Sequence, residues 1–501
     1  MKFIDNFLDN ITMYGLLLYG LLILAVISIV LSLFGLVVFS PLSLIGALLT
    51  LILVAGLVNY LLGWVFKVPL NQESSHISAL ILFFALTPLL DLHSFYLLVL
   101  AATLAMVSKY LLNTGGRHLF NPAAISLVIL DISGLGGTAW WISVPVLVIP
   151  VIILGFLVVK KIRKFHLFNA FALTSLIVFL ITRWSGGSLL SNLEQAILYS
   201  PLIFFGSIMV TEPLTMPPTK ISRIIYGIII GLLFSLSYRL GPIYSTPELA
   251  LIIGNVFSYF VSFKSRVRLA FVESQTISSH TFNITLEPER PFQYKAGQYM
   301  EWTLPDVSFN KKGNRRYFTI ASSPTESKIH LGISYDPAWP SRFKEKLLKL
   351  GKGDSLFAHG VAGDFVLPDN SDQKMVFIAG GIGITPFRSM IKYLSDKGEK
   401  RPITLFYSVH TSSELAYEDV FGPAEQAVGL KRINVITDKT NNSGEPSRIT
   451  PDLIRKEVPD YRERLFYLSG PPKMVEAFKK ILTEMGVSRS QIKTDFFIGY
   501  A

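Results

Sequence analysis

The sequence predicts a polytopic α-helical membrane domain of about ten helices, fused to an antiparallel β-barrel and an α/β domain. Three observations carry that expectation. Half of the 501 residues are hydrophobic and only 16% are charged, where soluble domains carry about a quarter. Long apolar segments crowd the chain as far as Phe263. Beyond Lys264 charged residues become frequent and short alternating runs replace the long apolar ones. Three domains are expected: 1–263 as the transmembrane domain, 264–368 as the barrel and 369–501 as the α/β domain. On this composition a disordered chain, a coiled coil and a purely soluble enzyme are excluded. The absence of cysteine excludes disulfides, thiolate nucleophiles and cysteine-ligated iron–sulfur clusters within the chain.

In the first half, apolar segments lie near 15–39, 41–66, 77–90, 93–112, 119–132, 140–159, 166–182, 195–211, 224–240 and 246–263. A bilayer-crossing helix needs roughly 20 residues, so 77–90 and 119–132 read as half-helices or as spans that borrow polar flanks. With a cytoplasmic N-terminus, one side collects Lys67, Lys109, Arg117, Lys160, Lys161, Arg163, Lys164, Lys220, Arg223 and the cluster from Lys264 to Arg268. The other side holds Arg183 and Arg239. This positive-inside bias predicts an integral protein of a prokaryotic plasma membrane with its C-terminal half in the cytoplasm. Membrane lipid is then the expected surroundings, and the net charge of +11 needs no nucleic-acid partner. The start reads as lacking a cleavable signal peptide, since Lys2 is its sole basic residue.

Residues 266–368 alternate polar and apolar, as in Thr281-Phe282-Asn283-Ile284-Thr285-Leu286, with Gly and Pro between runs. That is the pattern of a small antiparallel barrel. Residues 372–501 alternate buried-strand runs with helical stretches, the pattern of a parallel sheet. Four motifs sit on these elements. In Arg316-Tyr317-Phe318-Thr319-Ile320-Ala321-Ser322-Ser323-Pro324 an arginine beside strand hydroxyls suits a flavin. The guanidinium would meet the pyrophosphate, a hydroxyl the ring N5 and an aromatic the ring or ribityl chain. An edge strand with a surface arginine is the alternative. Gly380-Gly381-Ile382-Gly383-Ile384-Thr385-Pro386 directly follows a strand. Its glycines admit backbone amides close to a pyrophosphate, and Pro386 suits a first helical turn. A tight turn with no ligand is the alternative here. In Tyr467-Leu468-Ser469-Gly470-Pro471-Pro472-Lys473-Met474 a strand ends at the carboxyl edge of the sheet, where such sheets bind ligands. Asp495-Phe496-Phe497 and Tyr500 supply aromatics for a flavin ring or for closing the core.

In this order and spacing the four motifs resemble the ferredoxin–NADP reductase family. The resemblance implies a ferredoxin–NADP reductase-like module: a barrel binding FAD and an α/β domain binding NADH or NADPH. Arg316, Phe318 and Thr319 fall on the flavin motif, and Ser341, in Trp339-Pro340-Ser341, on a flavin-phosphate contact. Gly380, Gly381, Gly383 and Thr385 fall on the nicotinamide-nucleotide loop. Gly470, Pro471 and Met474 fall on a C-G-P-P-x-M element in which Ser469 replaces the cysteine. Catalysis is thereby assigned to Thr319 and Ser469, with no metal. NADH is preferred over NADPH, because Ser408-Val409-His410 offers no arginine for a 2′-phosphate.

In the first half, Phe120-Asn121-Pro122-Ala123, Thr211-Glu212-Pro213-Leu214-Thr215, Ser78-Ala79-Leu80-Ile81 and the loop from Gly241 to Glu248 carry a second resemblance. They resemble the B subunits of sodium-pumping NADH:quinone reductases and the D subunits of Rnf electron-transport complexes, over most of 70–263. The resemblance implies a flavin-carrying ten-helix relay, often alongside cation movement. The expected function is a membrane-bound NAD(P)H oxidoreductase. It would pass electrons from NADH to a membrane flavin, a quinone or an electron-carrier protein, with additional membrane subunits as partners. Family members hold FMN on a threonine of an S-G-A-T motif. The nearest match is Ser185-Gly186-Gly187-Ser188, which makes Ser188 the candidate for FMN in the membrane domain. A redox-regulated transporter and a haem-containing transmembrane reductase are the alternatives. For haem ligation the first half offers His76, His93, His118 and His166, all at segment ends and read as interfacial.

Overall fold

Ser, Thr, Asp or Asn stands just before most helices of the first half, and Pro just inside several, so the chain itself marks where helices begin. In order these are α1 (Met13–Leu33), α2 (Pro41–Val65), α3 (Gln72–Ala85), α4 (Leu92–Leu111), α5 (Pro122–Ser133), α6 (Pro145–Ile162), α7 (Phe165–Thr182), α8 (Leu189–Leu198), α9 (Leu202–Phe204), α10 (Lys220–Ser235) and α11 (Pro247–Val261). The π turn Phe205–Met209 extends α9. Thr12, Ser40, Asp91 and Asn121 accept first-turn backbone N–H groups of α1, α2, α4 and α5. The computed structural model describes all residues except 1–3, 5–6, 9–10, 67–71, 90, 115–116, 183–187, 242, 263–265, 305–314, 339, 439–446 and 496–501. The chain divides into two units, Met1–Lys264 and Ser265–Ala501.

The expected ten spans do not form. Among the described residues, five helices are long and apolar enough to cross a membrane by length and composition: α1, α2, α4, α6 and α7. The segments read near 77–90, 119–132, 224–240 and 246–263 become helices of 14, 12, 16 and 15 residues. At 1.5 Å per residue these reach about 18–24 Å, short of the roughly 30 Å of a hydrocarbon core. Apolar content runs on where the helix cannot. Helix α3 stops just ahead of Thr87-Pro88, and α5 starts only at Pro122, past the Leu119 and Phe120 that open its apolar segment. The segment read at 195–211 is divided at Tyr199 to Pro201.

The helical unit packs around Leu21, Leu51, Ala101, Leu127 and an aromatic group of Phe83, Phe84, Trp141 and Phe204. Its outer faces carry large exposed apolar side chains, Val38, Trp64 and Phe260 among them. The Asn-Pro and Thr-Glu-Pro motifs meet in its interior. Asn121 Nδ2 donates to Glu212 Oε2 at 2.9 Å, Thr215 Oγ1 donates to the same atom at 3.1 Å, and His118 Nε2 lies 2.9 Å from Glu212 Oε1. These motifs therefore satisfy each other's polar groups in an apolar surround, which buried polar groups require. His118 is buried, with its Nε2 engaged by Glu212.

In the second unit, alternating burial over Val267 to Ala270 shows the period of two that a half-buried strand needs. Strands β1 (Val267–Ser278), β2 (Thr281–Pro288), β3 (Tyr299–Thr303), β4 (Arg315–Thr319), β5 (Ile329–Ser334) and β6 (Ser355–Ala362) form an antiparallel sheet in the order β4-β3-β6-β1-β2-β5. Among the described residues no ladder pairs β4 with β5, where a single Ala321 N–H to His330 carbonyl bond at 2.9 Å joins the two sides, so the expected barrel is a half-barrel. Helix α12 (Arg342–Leu348) lies between β5 and β6 in the chain.

Strands β7 (Met375–Gly380), β8 (Ile403–Val409), β9 (Leu430–Ile436), β10 (Leu465–Ser469) and β11 (Ile492–Asp495) are all parallel, in the order β9-β8-β7-β10-β11. Every residue of β7 is buried, as a central parallel strand covered on both faces requires. Helices α13 (Thr385–Lys397), α14 (Glu418–Ala427), α15 (Pro451–Glu457) and α16 (Pro472–Glu484) supply the cover. Phe377, Phe387 and Tyr467 fill one side, and Val376, Ile378, Phe406 and Val475 the other. The strand order reverses between β7 and β10, which opens a crevice at their carboxyl ends.

Candidate active site

Two loops close on each other in that crevice. A Cβ on Gly383 would fall 2.4 Å from the Ser469 carbonyl oxygen and 2.6 Å from Gly470 N. A Cβ on Gly380 would fall 2.3 Å from Met474 Sδ and 3.2 Å from Pro471 Cδ. The structure thus brings together Gly380, Gly383, Gly470, Pro471 and Met474, with backbone meeting backbone. Gly381 differs: its φ is +51° and a Cβ there would meet nothing within 4 Å. Of the loop glycines it alone faces open space, where a phosphate could approach the chain. Thr385 opens α13, its hydroxyl donating to the Ile382 carbonyl at 3.1 Å. The N-terminus of that 13-residue helix is favourable for an anion.

Thr319 ends β4, and its hydroxyl lies close enough to the carboxyl of Asp495, at the end of β11, to favour that group's charged form. Asp495 is the parallel ladder partner of Ser469. Thr319, Asp495 and Ser469 are all buried, and Ser469 in turn touches the Gly383 position. A continuous path of contacts therefore runs from the half-barrel strand to the glycine loop. Burial pushes the Asp495 carboxyl up to about 7, against which the nearby Thr319 hydroxyl is the smaller effect. Low polarity disfavours the charged form. Nothing local in the sequence marks this carboxylate as buried, since its neighbours Phe496 and Phe497 are the residues there that suggest a flavin contact. Phe496, Phe497 and Tyr500, like Trp339, lie outside the described residues.

Arg316 and Phe318 are two apart on β4 and share the face opposite Thr319. Arg316 Cζ lies 5.4 Å from the Phe343 ring centroid, and the Phe318 and Phe343 rings are 5.9 Å apart. Ser341 precedes α12, two residues before Phe343, and its hydroxyl makes no capping bond. Arg316, Phe318 and Ser341 are thus gathered around Phe343, apart from the Thr319–Asp495 contact.

The oxidoreductase NAD-binding domain profile matches residues 377–480. The oxidoreductase NAD-binding domain-containing protein 1 of Bos taurus is 31% identical over 233 residues, 41% of this chain and 72% of that protein. The chain belongs to the oxidoreductase NAD-binding domain family. Its C-terminal unit is a FAD-dependent NAD(P)H oxidoreductase. The glycine betaine monooxygenase reductase subunit of Chromohalobacter salexigens is 25% identical over 240 residues, 47% of this chain and 64% of that protein. The chain thus spans just under two thirds of that relative. An Amycolatopsis cytochrome P450 reductase structure shows 24% identity and a TM-score of 0.43, over 47% of this chain and 71% of that one.

These findings overturn the reading of the first half. The family match falls within the second unit, and the curated relatives named above carry the names of an NAD-binding oxidoreductase and a reductase subunit, not of membrane-complex subunits. The expected kinship of 70–263 with the B and D subunits does not stand. Nor do the ten-helix membrane domain, the integral plasma-membrane location, the lipid partner and the membrane acceptor that rested on it. FMN at Ser188 falls with them. Ser188 caps α8 instead, its Oγ accepting the Ser191 N–H at 3.1 Å. Residues 185–187 of that motif lie outside the described residues.

Proposed function

We propose that the second unit takes reducing equivalents from NADH and delivers them, by way of FAD at the half-barrel, to an electron-carrier protein. The observation that carries this reading is the contact path Thr319–Asp495–Ser469–Gly383, which joins the flavin motif to the nucleotide loop. Two features support a fit to the cofactors: the open Gly381 at a helix start, and the placing of Arg316, Phe318 and Ser341 beside Phe343. When bound, FAD accepts a pair of electrons and can release them singly.

The chain's own residues divide the remaining work. Arg316 and Ser341 hold the flavin phosphates, and Phe318 packs on the flavin. Gly380, Gly381, Gly383 and Thr385 seat the nucleotide pyrophosphate, with Gly470, Pro471 and Met474 as the facing wall. Asp495 Oδ holds a proton near neutral pH, and the Thr319 hydroxyl passes it toward the reacting centre, with Ser469 lining the path. A chain without cysteine has no cysteine-ligated cluster to receive the electrons, which favours a separate carrier. So does the name of the monooxygenase reductase relative.

Anaerobic titration with NADH tests the reading: one FAD per chain, bleached by NADH, is expected, and a colourless protein indifferent to NADH would sink it. Arg316→Ala is expected to lower bound FAD at least about tenfold, equivalent to ~1.4 kcal/mol; unchanged flavin content would remove Arg316 from the site.

Nucleotide choice follows from the loop after β8. Glu414 folds back so that His410 N donates to Oε2 at 3.2 Å and the Thr411 hydroxyl to Oε1 at 3.4 Å. Residues 408–414 contain no lysine or arginine. A carboxylate there repels a 2′-phosphate. Glu414→Lys is expected to raise the NADPH-to-NADH ratio of kcat/KM about tenfold, or ~1.4 kcal/mol. An unmoved ratio in steady-state assays would place the 2′ position elsewhere.

A further inference from the structure

The half-barrel and the parallel sheet are joined by a buried polar seam just behind the two loops. Arg388, in the first turn of α13, is buried. Its Nη1 donates to the Ala321 carbonyl at 3.1 Å, and its two terminal nitrogens grip the Glu326 carboxylate, with Nη2 to Oε1 at 2.9 Å. The next residue, Ser389, donates through Oγ to the Ser322 carbonyl at 2.6 Å. Glu326 Oε2 also accepts the Ser323 N–H at 2.6 Å, and Tyr294 Oη donates to the Ser323 carbonyl at 2.8 Å. The segment held in this way begins two residues beyond Thr319, and the helix that holds it begins at Thr385.

The seam leaves little slack. A Cβ on Gly332 of β5 would fall 2.5 Å from Thr385 Cγ2 and 2.3 Å from Tyr417 Oη. Tyr417 is buried at the entrance to α14 with φ +61°, and its hydroxyl donates to Asn283 Oδ1 at 3.4 Å. Non-glycine residues rarely adopt that conformation, and surrounding structure must hold them there.

A buried ion pair is weak support for stability, since desolvation offsets much of its attraction. Its directional bonds fix register instead. We propose that Arg388, through Glu326, is a positioning residue that sets the distance between the strand end at Thr319 and the loop Gly380 to Thr385, and so the hydride-transfer distance. This rests on the function proposed above.

Stopped-flow reduction of the flavin by NADH in the full chain tests it. For Arg388→Met, bound FAD and the half-saturating NADH concentration should stay within about threefold, while the limiting reduction rate falls about 100-fold, the scale of a 1 Å misplacement. The kinetic isotope effect with deuterated NADH should change. The charge-reversed pair Arg388→Glu/Glu326→Arg should recover at least about tenfold of the lost rate. An unchanged limiting rate in Arg388→Met overturns the proposal, as does a rate loss matched by equal loss of flavin. Glu326→Gln keeps shape and removes the charge, so it tests the same seam if Arg388→Met does not fold: a lowered limiting rate with flavin retained supports the role, and an unchanged rate overturns it. A wild-type chain that holds no FAD, or that NADH does not bleach, would instead bring down the underlying function.

Discussion

Gly383→Ala yields a protein whose flavin NADH reduces at least about 100-fold more slowly, the order of loss that misplaced reacting groups produce. The added methyl falls 2.4 Å from the Ser469 carbonyl oxygen and 2.6 Å from Gly470 N. Both are backbone atoms, and β7 and β10 are paired through Ala379 and Ser469 immediately before them. Neither can yield without opening the ladder at the crevice. Overpacking of this kind costs about 1–3 kcal/mol, measurable as a lower urea midpoint. Gly381→Ala makes the contrast: its methyl meets no atom of the chain within 4 Å, so the left-handed backbone costs about 1–2 kcal/mol and the methyl, facing the phosphate, raises the half-saturating NADH concentration rather than lowering the limiting rate. Rapid-mixing absorbance at the flavin band separates the two. Wild-type reduction in Gly383→Ala would show that the interlocked loops do not read the nucleotide.

Asp495→Asn gives the second large effect, a reduction rate lowered about 100-fold and no longer dependent on pH near neutrality. In the wild-type chain the carboxyl, pushed up to about 7 by burial, keeps its proton below that pH and loses it above. The rate is therefore expected to fall as pH rises through about 7. The same shift has a consequence for stability whose sign is fixed. The folded value lies above the ordinary carboxylate value near 4, so the stabilising contribution is complete below about pH 4 and is lost as pH rises through about 7. The loss is on the order of 4 kcal/mol. Asparagine removes the charge, so the variant's gain in thermal stability over the wild type should grow as pH rises from about 4 to about 7 and persist above it. A flat wild-type rate profile across pH 6–8, or a variant that keeps the wild-type rate, would remove Asp495 from proton delivery.

The second unit was more legible than the first, for a physical reason. Alternation over Val267 to Ala270 and the apolar run of β7 each have one favourable structure, and glycines that follow a strand at once mark a tight approach. What the sequence did not disclose was pairing at a distance. Asp495 and Thr319 lie far apart in the chain, and nothing local to either shows that they come together. Arg388 reads as an ordinary polar position on a helix until the Glu326 carboxylate is seen opposite it. The same limit applies to Asn121 and Glu212, whose motifs suggested kinship with membrane subunits yet serve to satisfy one another. In the first half, counting apolar residues measured composition rather than helix length. The count ran past Thr87-Pro88, where the backbone stops.

The central position of β7 has a bearing on how the protein is made. Its partners are β8 on one side and β10 on the other, and Met375 must wait for Leu465. During synthesis one edge of the most apolar strand in the unit therefore stays unpaired until roughly ninety further residues have left the ribosome. Such long-range parallel pairing folds slowly and is vulnerable to aggregation. The half-barrel strands β1 and β2, joined by a short turn, can pair as soon as they emerge. The unit thus acquires its flavin-side architecture early and its nucleotide side last, and a nascent chain paused before β10 carries its hazard on β7.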